Sequence, residues 1–565
     1  MQSLLKKKWI IRSNQPDLDF FDNLLYHRGI RSADDSNSYL FPNFKKGFHN
    51  PFLMKDMDKA VERINRAIAD KERIIIFGDY DVDGISGTAV MVQALTLMGA
   101  NVSYRLPHRL LDGYGLAMKF IEEFREKDIK LLITVDCGIS CKEQIEKAHE
   151  YGIDTIITDH HTVPEQIPDK AYAILHPLQK DCPYPFKGLT GSGVAYKLAS
   201  ALITNKFPAE EKERLLFSLL DLASLGTVAD MGPLLDENRI IVKYGLEALQ
   251  NTNWQGLRYL MEQAGFDFLK KMDTTSIGFK IGPRINAAGR IDSPYYALQL
   301  LLHDGDEQRG KALAAKLEEL NITRQKMVVI ALEEAEIMYK TQAPNAKIFI
   351  AWSKDWHVGI LGLIASKFVE KYGIPCAALQ EFDEHLVASF RSNEYLNAFD
   401  ALNATKEYLS HFGGHAQAAG FSLKKENLPA FVKAINDYTD HKLREQTLES
   451  ELMLDAEIAD DQINEQLVNM LGQLQPFGIG NQEPLFLMRN VRAQGLKKVG
   501  KDESHLHFFA KTPHGSFPVI AFKFGSHADF FQQTQSMDLA CHLEKNEWNG
   551  RTSIKLRVID ARKSE

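Results

Sequence analysis

Cysteine is scarce in this chain. Five residues in 565, at positions 137, 141, 182, 376 and 541, form no paired spacing, so a disulfide framework is not the organising device. Cys137 and Cys141 invite a zinc reading, but no second pair at ligand spacing accompanies them. Long apolar runs are missing too: nothing approaches the ~20 consecutive apolar residues of a membrane span. The opening stretch from Met1 to Trp9 has neither the apolar core nor the cleavage site of a secretory signal, which makes a cytoplasmic location the expectation. Internal repeats and low-complexity tracts are absent. What remains, 44% hydrophobic and 25% charged residues, is the composition of a globular protein with length for several domains.

An excess of positive charge is lacking as well. Lys and Arg number 67 against 75 Asp and Glu, a formal net charge of −8. That sum hides a division. Between His441 and Gly480 there are two basic and eight acidic residues, whereas from Asn481 to Glu565 there are thirteen basic and nine acidic. Local potential rather than the total steers a polyanion, so overall acidity does not exclude nucleic acid as a ligand.

The apolar run Ile74-Ile75-Ile76-Phe77 leads into Asp79-Tyr80-Asp81-Val82-Asp83-Gly84. The run reads as a buried strand and the residues from Gly84 to Gly87 as a turn into a helix, which places three carboxylates at the carboxyl end of a strand. Alone, such a segment is better read as a solvated acidic turn. Two further strands change that. Leu131 to Val135 runs into Asp136, and Thr155 to Thr158 runs into Asp159-His160-His161, with a helical rhythm between them, as in Lys142 to His149. A βαβ series lays such strands parallel with their ends on one edge. Asp81, Asp83, Asp136, Asp159, His160 and His161 are then expected to meet in one crevice. Like charges so close together need a cation, and oxygen-rich sites suit magnesium and manganese.

These motifs resemble those of the DHH phosphoesterase family. Asp159-His160-His161 is similar to the triplet that names the family, Asp81-Val82-Asp83 and Asp136 to its first two metal-binding motifs, and Asp221, in the stretch from Asp221 to Asp230, to the fourth. The stretch from His411 to Gly420 resembles the glycine-histidine signature of the associated DHHA1 substrate-binding domain. Arg109 to Leu116, Cys182 to Gly188, Gly282 to Arg290 and Trp356 to Gly359 extend the likeness, in order, from about Asp79 to the C-terminus. Within the family it points to the bacterial exonucleases specific for single-stranded DNA. Two positions depart from the pattern. Phe77 stands where a metal-binding His is frequent, which leaves Asp79 to take that role or one site weaker; Phe390 stands where glycine is common.

The resemblance implies an α/β protein with a DHH-type parallel-sheet core, a helical connector, a second α/β domain of the DHHA1 type and a C-terminal OB-fold β-barrel. Together with the shifts in composition it divides the chain into an N-terminal arm (1–50), a catalytic core (51–206), a helical segment with the fourth metal motif (207–340), a DHHA1-type domain (341–449) and a linker with the barrel (450–565). Helical spacing without glycine or proline after Gly310, as far as Tyr339, predicts a long connecting helix.

The resemblance also implies two divalent ions, Mn2+ or Mg2+, held by Asp81, Asp83, Asp136, His160 and Asp221, with Asp79 as a further candidate. His161 is expected on a non-bridging phosphate oxygen or in proton transfer, and Asp159 either at the catalytic centre or orienting an imidazole. Arg109, Tyr114, Arg284, Asn286 and Arg290 become candidates for backbone phosphates. His357, Ser389, Arg391, Gly414 and His415 become candidates for the rest of the substrate, with Arg391 forking onto a terminal 5′-phosphate. The activity implied is hydrolysis of single-stranded DNA from the 5′ end, releasing 5′-mononucleotides in recombination and repair, in a cleft too narrow for duplex. The partners implied are a RecQ-type helicase and a single-strand-binding protein, with no membrane. In the barrel, Trp548, Arg551, Lys555 and Arg557 read equally as a DNA track or as a solvated strand face.

Three competitors are weaker. Phosphodiesterases of small nucleotides share the core but lack the connector and barrel, manganese pyrophosphatases carry a different second domain, and a catalytically dead scaffold would have lost the acidic ligands that stand here.

Overall fold

A computed structural model describes residues 3–109, 111–113, 115–443, 450–548 and 551–564, without the side chains of 546–548 and 551–552. The chain divides into two compact units: residues 49–232 with 244–448, and residues 1–48 with 233–243 and 449–565. Among the described residues no helix is long and apolar enough to cross a membrane.

The first unit is built on a parallel sheet of β1 (Arg73–Gly78), β2 (Asn101–Arg105), β3 (Leu131–Val135), β4 (Asp154–Thr158) and β5 (Ala173–Leu175), in the order β2-β1-β3-β4-β5. The winding reverses between β1 and β3, and doubly wound sheets bind ligands at that reversal, beyond the carboxyl ends of the strands. Register brings the ends level, with Gly78 opposite Val135 and Val135 opposite Thr158. One residue later the N–H groups of Asp79, Asp136 and Asp159 donate to the carbonyls of Val135, Thr158 and Leu175, at 3.2, 2.9 and 3.2 Å. Three acids are thus fixed side by side by the ladder itself.

Helices α1 (Val82–Leu97), α2 (Gly191–Lys206) and α3 (Leu220–Ala229) pack on one another. They are apolar on most sides, as expected of helices surrounded by protein. Asp81 caps α1, its carboxylate accepting from the N–H groups of Asp83 (3.0 Å) and Gly84 (3.1 Å). The same motif therefore starts the helix and supplies the acids. Phe77 is fully buried and packs against Phe120 and Phe124, with ring centroids 5.2 and 6.4 Å away. It belongs to the apolar core beneath the sheet.

Further along, α4 (Gly282–Ile291) precedes the connecting helix α5 (Glu307–Gln342), 36 residues long. The second sheet contains β6 (Phe349–Ser353), β7 (Cys376–Phe382), β8 (His385–Arg391), β9 (His411–Gly414) and β10 (Ala418–Lys424), ordered β9-β10-β8-β7-β6. Only β6 and β7 run parallel. Phe390 faces the core of this domain with Phe421 and Phe431, which accounts for a bulky residue there.

The second unit holds a barrel of β11 (Phe486–Val499), β12 (His505–Lys511), β13 (Ser516–Ala521), β14 (Met537–Trp548) and β15 (Arg551–Lys563). The order β11-β12-β13-β15-β14 closes through a β11–β14 pairing, the circuit of an OB fold. The stretch read from sequence as an N-terminal arm is folded into this unit. Its strand Lys8–Ile11 pairs in parallel with Glu451–Leu454, and Phe21, Leu24, Leu25 and Tyr39 share the core of the barrel. Arg239, from the short segment 233–243, stacks 4.0 Å over Tyr39 and donates to the carbonyls of Tyr39, Gln473, Leu474 and Gln475. Among the described residues this buried guanidinium is satisfied by backbone carbonyls and has no carboxylate partner.

Candidate active site

The acids after β1, β3 and β4 converge as the strand ends require. Ligand atoms of Asp79, Asp81 and Asp136 lie within 4.8 Å of one another, as do those of Asp136, His160 and His161 and those of Asp83, His160 and Asp230. Nε2 of His160 stands 3.1 Å from Asp136, 3.6 Å from Asp230 and 3.8 Å from Asp83, which places it at the centre of the group.

The surroundings are shaped to hold these groups close. Asp83 accepts from the backbone N–H groups of Gly191 (2.6 Å) and Ser192 (2.9 Å) at the start of α2. A Cβ on Gly226 of α3 would come within 2.2 Å of Asp83 Oδ1 and 2.3 Å of Ser192 Oγ, so only glycine lets α3 lie this near. Asp136 has φ 62°, a left-handed conformation costly for a side-chain-bearing residue, and the neighbouring helix start at Gly191 has no room for a Cβ beside it (2.5 Å to Oδ1). Strain and close approach fall on the metal-facing residues.

Asp159 plays a different part. Its Oδ1 accepts from the N–H groups of His160 (2.7 Å) and His161 (3.0 Å) and lies 2.8 Å from His161 Nδ1, while Oδ2 accepts from Ile139 N–H (2.9 Å). Both oxygens are consumed in holding the turn, so Asp159 orients the histidines. Burial pushes its carboxyl upward, but the bond and charge of His161 and the backbone donors outweigh it and bring it to about 2. Burial likewise pulls His161 down, and Asp159 overrides it, raising the imidazole to about 9.

Four other acids behave in the opposite way. Burial, then the charge of Asp83, raises Asp81, holds Asp136 well above the carboxylate range and lifts Asp230 to about 8. Asp79 is pushed up by burial and then by Asp81, and His160 is lowered by burial. Among the described residues, Asp79 Oδ1, Asp136 Oδ1 and His160 Nε2 are buried without an aligned hydrogen bond. Unmatched acceptors converging on one point, next to acids that repel one another, fit a divalent cation ligated by oxygen and imidazole.

The fourth motif presents two acids, of which Asp221 is the one expected from sequence as a ligand. Asp221 lies in the first turn of α3, where its carboxylate accepts from Thr252 Oγ1 (2.7 Å), Trp254 Nε1 (2.8 Å) and Leu222 N–H (2.8 Å). Asp230, at the other end of that helix, reaches the cluster in its place. Asp230 closes the same stretch that Asp221 opens, but nothing in a linear motif says which end of a helix faces the metal.

The cationic candidates divide. Arg109 stacks 5.0 Å over Tyr80, Arg290 donates to Gly359 O (3.2 Å), and Arg391 donates to Ser389 Oγ (3.0 Å). Burial, compounded by the charges of Arg109 and Arg324, pulls Arg290 down to about 9; burial and then Arg109 lower Arg391. Desolvated arginines that repel one another suit an anion between them. Arg324 of α5, which no sequence motif singled out, joins them: its Nη2 donates to Asn321 (2.8 Å) and its buried Nε has no hydrogen-bond partner among the described residues. Arg284, by contrast, is paired with Glu318. Asn286 is half-buried on α4. His357 is half-buried and accepts from Gly359 N–H through Nδ1 (3.1 Å). Ser389 and Arg391 share one face of β8, Gly414 (φ 141°) ends β9, and His415 is exposed in the turn beyond it. Tyr114 lies outside the described residues.

In the barrel Lys555 is paired with Glu544, and Arg557 with Glu544 and Glu483, so these two are committed within the fold. The side chains of Trp548 and Arg551 lie outside the described residues.

Family models match three segments: the DHH family N-terminal domain at residues 73–227, the DHHA1 domain at 345–440 and the RecJ OB domain at 454–560. The chain is 35% identical over 545 residues to the single-stranded-DNA-specific exonuclease RecJ of Bacillus subtilis, covering 96% of this chain and 68% of that protein. To the enzyme of that name from Dickeya dadantii it is 34% identical over 555 residues, covering 95% and 94%. Among solved structures it is similar to RecJ of Thermus thermophilus in complex with Mn2+, with a TM-score of 0.83 and 30% identity over 99% of this chain and 80% of that one. The Mg2+ complex gives 0.77 and 28%, over 99% and 79%.

Proposed function

The chain belongs to the RecJ family, and from that membership we propose a metal-dependent exonuclease that hydrolyses single-stranded DNA from its 5′ end, releasing 5′-mononucleotides in recombination and repair. The observation that carries the chemistry is the convergence of Asp79, Asp81, Asp83, Asp136, His160 and Asp230 around unmatched buried acceptors. These six residues would hold two divalent ions, manganese or magnesium. Bound there, the ions supply the Lewis acidity that makes water nucleophilic at neutral pH and offsets charge on the phosphoryl oxygens.

The protein's own groups do the rest. Asp159 fixes His161 through Nδ1, so a protonated His161 donates to a non-bridging phosphoryl oxygen from its other nitrogen. Arg109, Arg290, Arg324 and Arg391 draw the DNA backbone by charge, and Arg391 with Ser389 receives the terminal 5′-phosphate. A duplex is too wide for the cleft so formed, which makes sterics the source of strand selectivity.

The barrel offers a second contact for a single strand. On the outer face of β11 and β12, register sets Arg492 opposite Lys511, Gln494 opposite Phe509 and Lys497 opposite His507. Cations interleaved with rings on the first two strands of the barrel suit a single-stranded backbone and its bases. A nuclease of this kind depends on unwound DNA, so a RecQ-type helicase and a single-strand-binding protein are its proposed partners and the cytoplasm its compartment.

The test compares 5′- and 3′-labelled single strands and blunt duplex, with Mn2+ and with EDTA. Mononucleotides released from the 5′ label of single strands, and only with metal, are expected. Preference for duplex, or release that survives EDTA, rejects the reading.

A further inference from the structure

One residue beside the metal centre has a conformation that its own side chain opposes. Helix α3 ends at Asp230 in a Schellman turn: Met231 N–H donates to Val228 O (3.2 Å) and Gly232 N–H to Thr227 O (3.0 Å). The residue after the cap must then be left-handed, and Met231 has φ 58°. Glycine takes this position without penalty, whereas any Cβ crowds the backbone. Burial does not compensate, because Met231 is 65% exposed. The chain therefore keeps a strained, solvent-facing thioether directly after a residue whose carboxylate lies 3.6 Å from His160.

A second apolar side chain stands on the adjoining turn. Residues Ser276–Ile281 form a π-helical segment, a form rare enough to mark functional sites. This segment and the first residue of α4 lie against the end of α3: a Cβ on Gly278 would be 4.0 Å from Val228 Cγ1, and one on Gly282 would be 3.7 Å from Ala229 Cβ and 3.9 Å from Val82 Cγ2. Val82 separates Asp81 from Asp83. Phe279 follows Gly278 and is 81% exposed. Two large apolar groups, one directly after Asp230 and one on the segment packed against the end of α3, are presented to solvent.

We infer that Met231, with Phe279 on the segment packed against the end of its helix, forms an apolar wall at the mouth of the metal centre that contacts the face of a nucleobase near the scissile phosphate. This rests on the single-strand exonuclease reading above. A ring and a soft, flexible thioether accept any base face without reading its hydrogen-bonding edge. Such a contact suits an enzyme that removes nucleotides of every sequence in turn. The strain at Met231 is then a stability cost retained for substrate contact.

The test uses the full chain with Mn2+ and single-stranded oligonucleotides, either unmodified or with an abasic residue at one of the first four positions from the 5′ end. Met231→Gly, Phe279→Ala and the wild type are compared for kcat, KM and thermal midpoint. The wild type is expected to show a raised KM at one abasic position. Met231→Gly should raise KM on unmodified DNA roughly two- to tenfold, lose that discrimination, and melt at the wild-type temperature or above. Phe279→Ala should raise KM in the same direction. Unchanged KM with discrimination intact overturns the inference, as does a lowered melting point for Met231→Gly without a change in KM, which would make Met231 a packing residue. A wild type that cleaves no single strands with Mn2+ removes the exonuclease reading itself and this inference with it.

Discussion

Asp221 and Asp230 stand at the two ends of α3, nine positions and roughly 13 Å apart along the axis at 1.5 Å per residue. Trp254 and Thr252 take up the carboxylate of the first, and His160 faces that of the second. One short motif thus carries two acids with separate roles. Asp230→Asn should weaken Mn2+ binding and lower cleavage by at least about a hundredfold, since it removes a ligand charge. Asp221→Asn should stay within about tenfold of wild type. Manganese titration alongside cleavage rates checks both, and equal losses would return Asp221 to the ligand set.

The buried Asp221 has its own signature in stability. Burial pushes its carboxyl up to about 7, against roughly 3.9 in an unfolded chain. The folded protein therefore binds this proton more tightly, and stability is lost as pH rises from about 4 through 7. Between pH 5 and 8 the loss amounts to roughly 3 kcal/mol at about 1.4 kcal/mol per pKa unit. Urea unfolding of wild type and Asp221→Asn at the two pH values should show the variant gaining by that amount at pH 8. A difference independent of pH contradicts it.

Gly226 leaves no space for a methyl group against Asp83, so Gly226→Ala must push α3 or the carboxylate aside. Overpacking of this kind costs about 1–3 kcal/mol and should displace a metal ligand as well. A fall in thermal midpoint together with weaker Mn2+ affinity is expected. Wild-type affinity in the variant would show that α3 shifts freely.

Asp159 holds His161 in place without facing the metal. Asp159→Asn should cost about 10- to 100-fold, the size usual for groups that orient a ligand or catalytic histidine. The loss should fall chiefly on kcat, with KM for single strands nearly unchanged. A loss confined to KM would assign Asp159 to substrate binding.

Metal itself should stabilise the first unit. Ions that relieve repulsion among Asp79, Asp81, Asp83, Asp136 and Asp230 bind the folded chain in preference to the unfolded one, worth about 2.7 kcal/mol per site at a hundred times Kd. Differential scanning with Mn2+ and with EDTA should separate the midpoints, and Asp136→Asn should shrink the gap. No shift on adding Mn2+ would deny binding at this cluster.

Much of this was legible along the chain because strand ends are local events. An apolar run followed at once by Asp79, Asp136 or Asp159 names its own sheet edge, and the βαβ rhythm sets those edges level. The connecting helix was readable for the same reason, since its spacing persists over many turns. Asp230 and Arg324 were not, because each depends on the direction a helix faces once packed. Arg284 looked like a free cation in sequence, and only packing brings Glu318 to it.

By itself, the sequence determined the three acidic strand ends, the caps and glycines that allow the helices to start beside them, and hence the chemistry of a divalent cation. These follow from residues within a few positions of one another. The tertiary structure alone decided which acid of α3 closes the cluster, which arginines stay unneutralised, and that Lys8–Ile11 pairs with a strand more than 400 residues away. Such outcomes depend on which surfaces meet when helices and strands pack, and no local pattern encodes the partner.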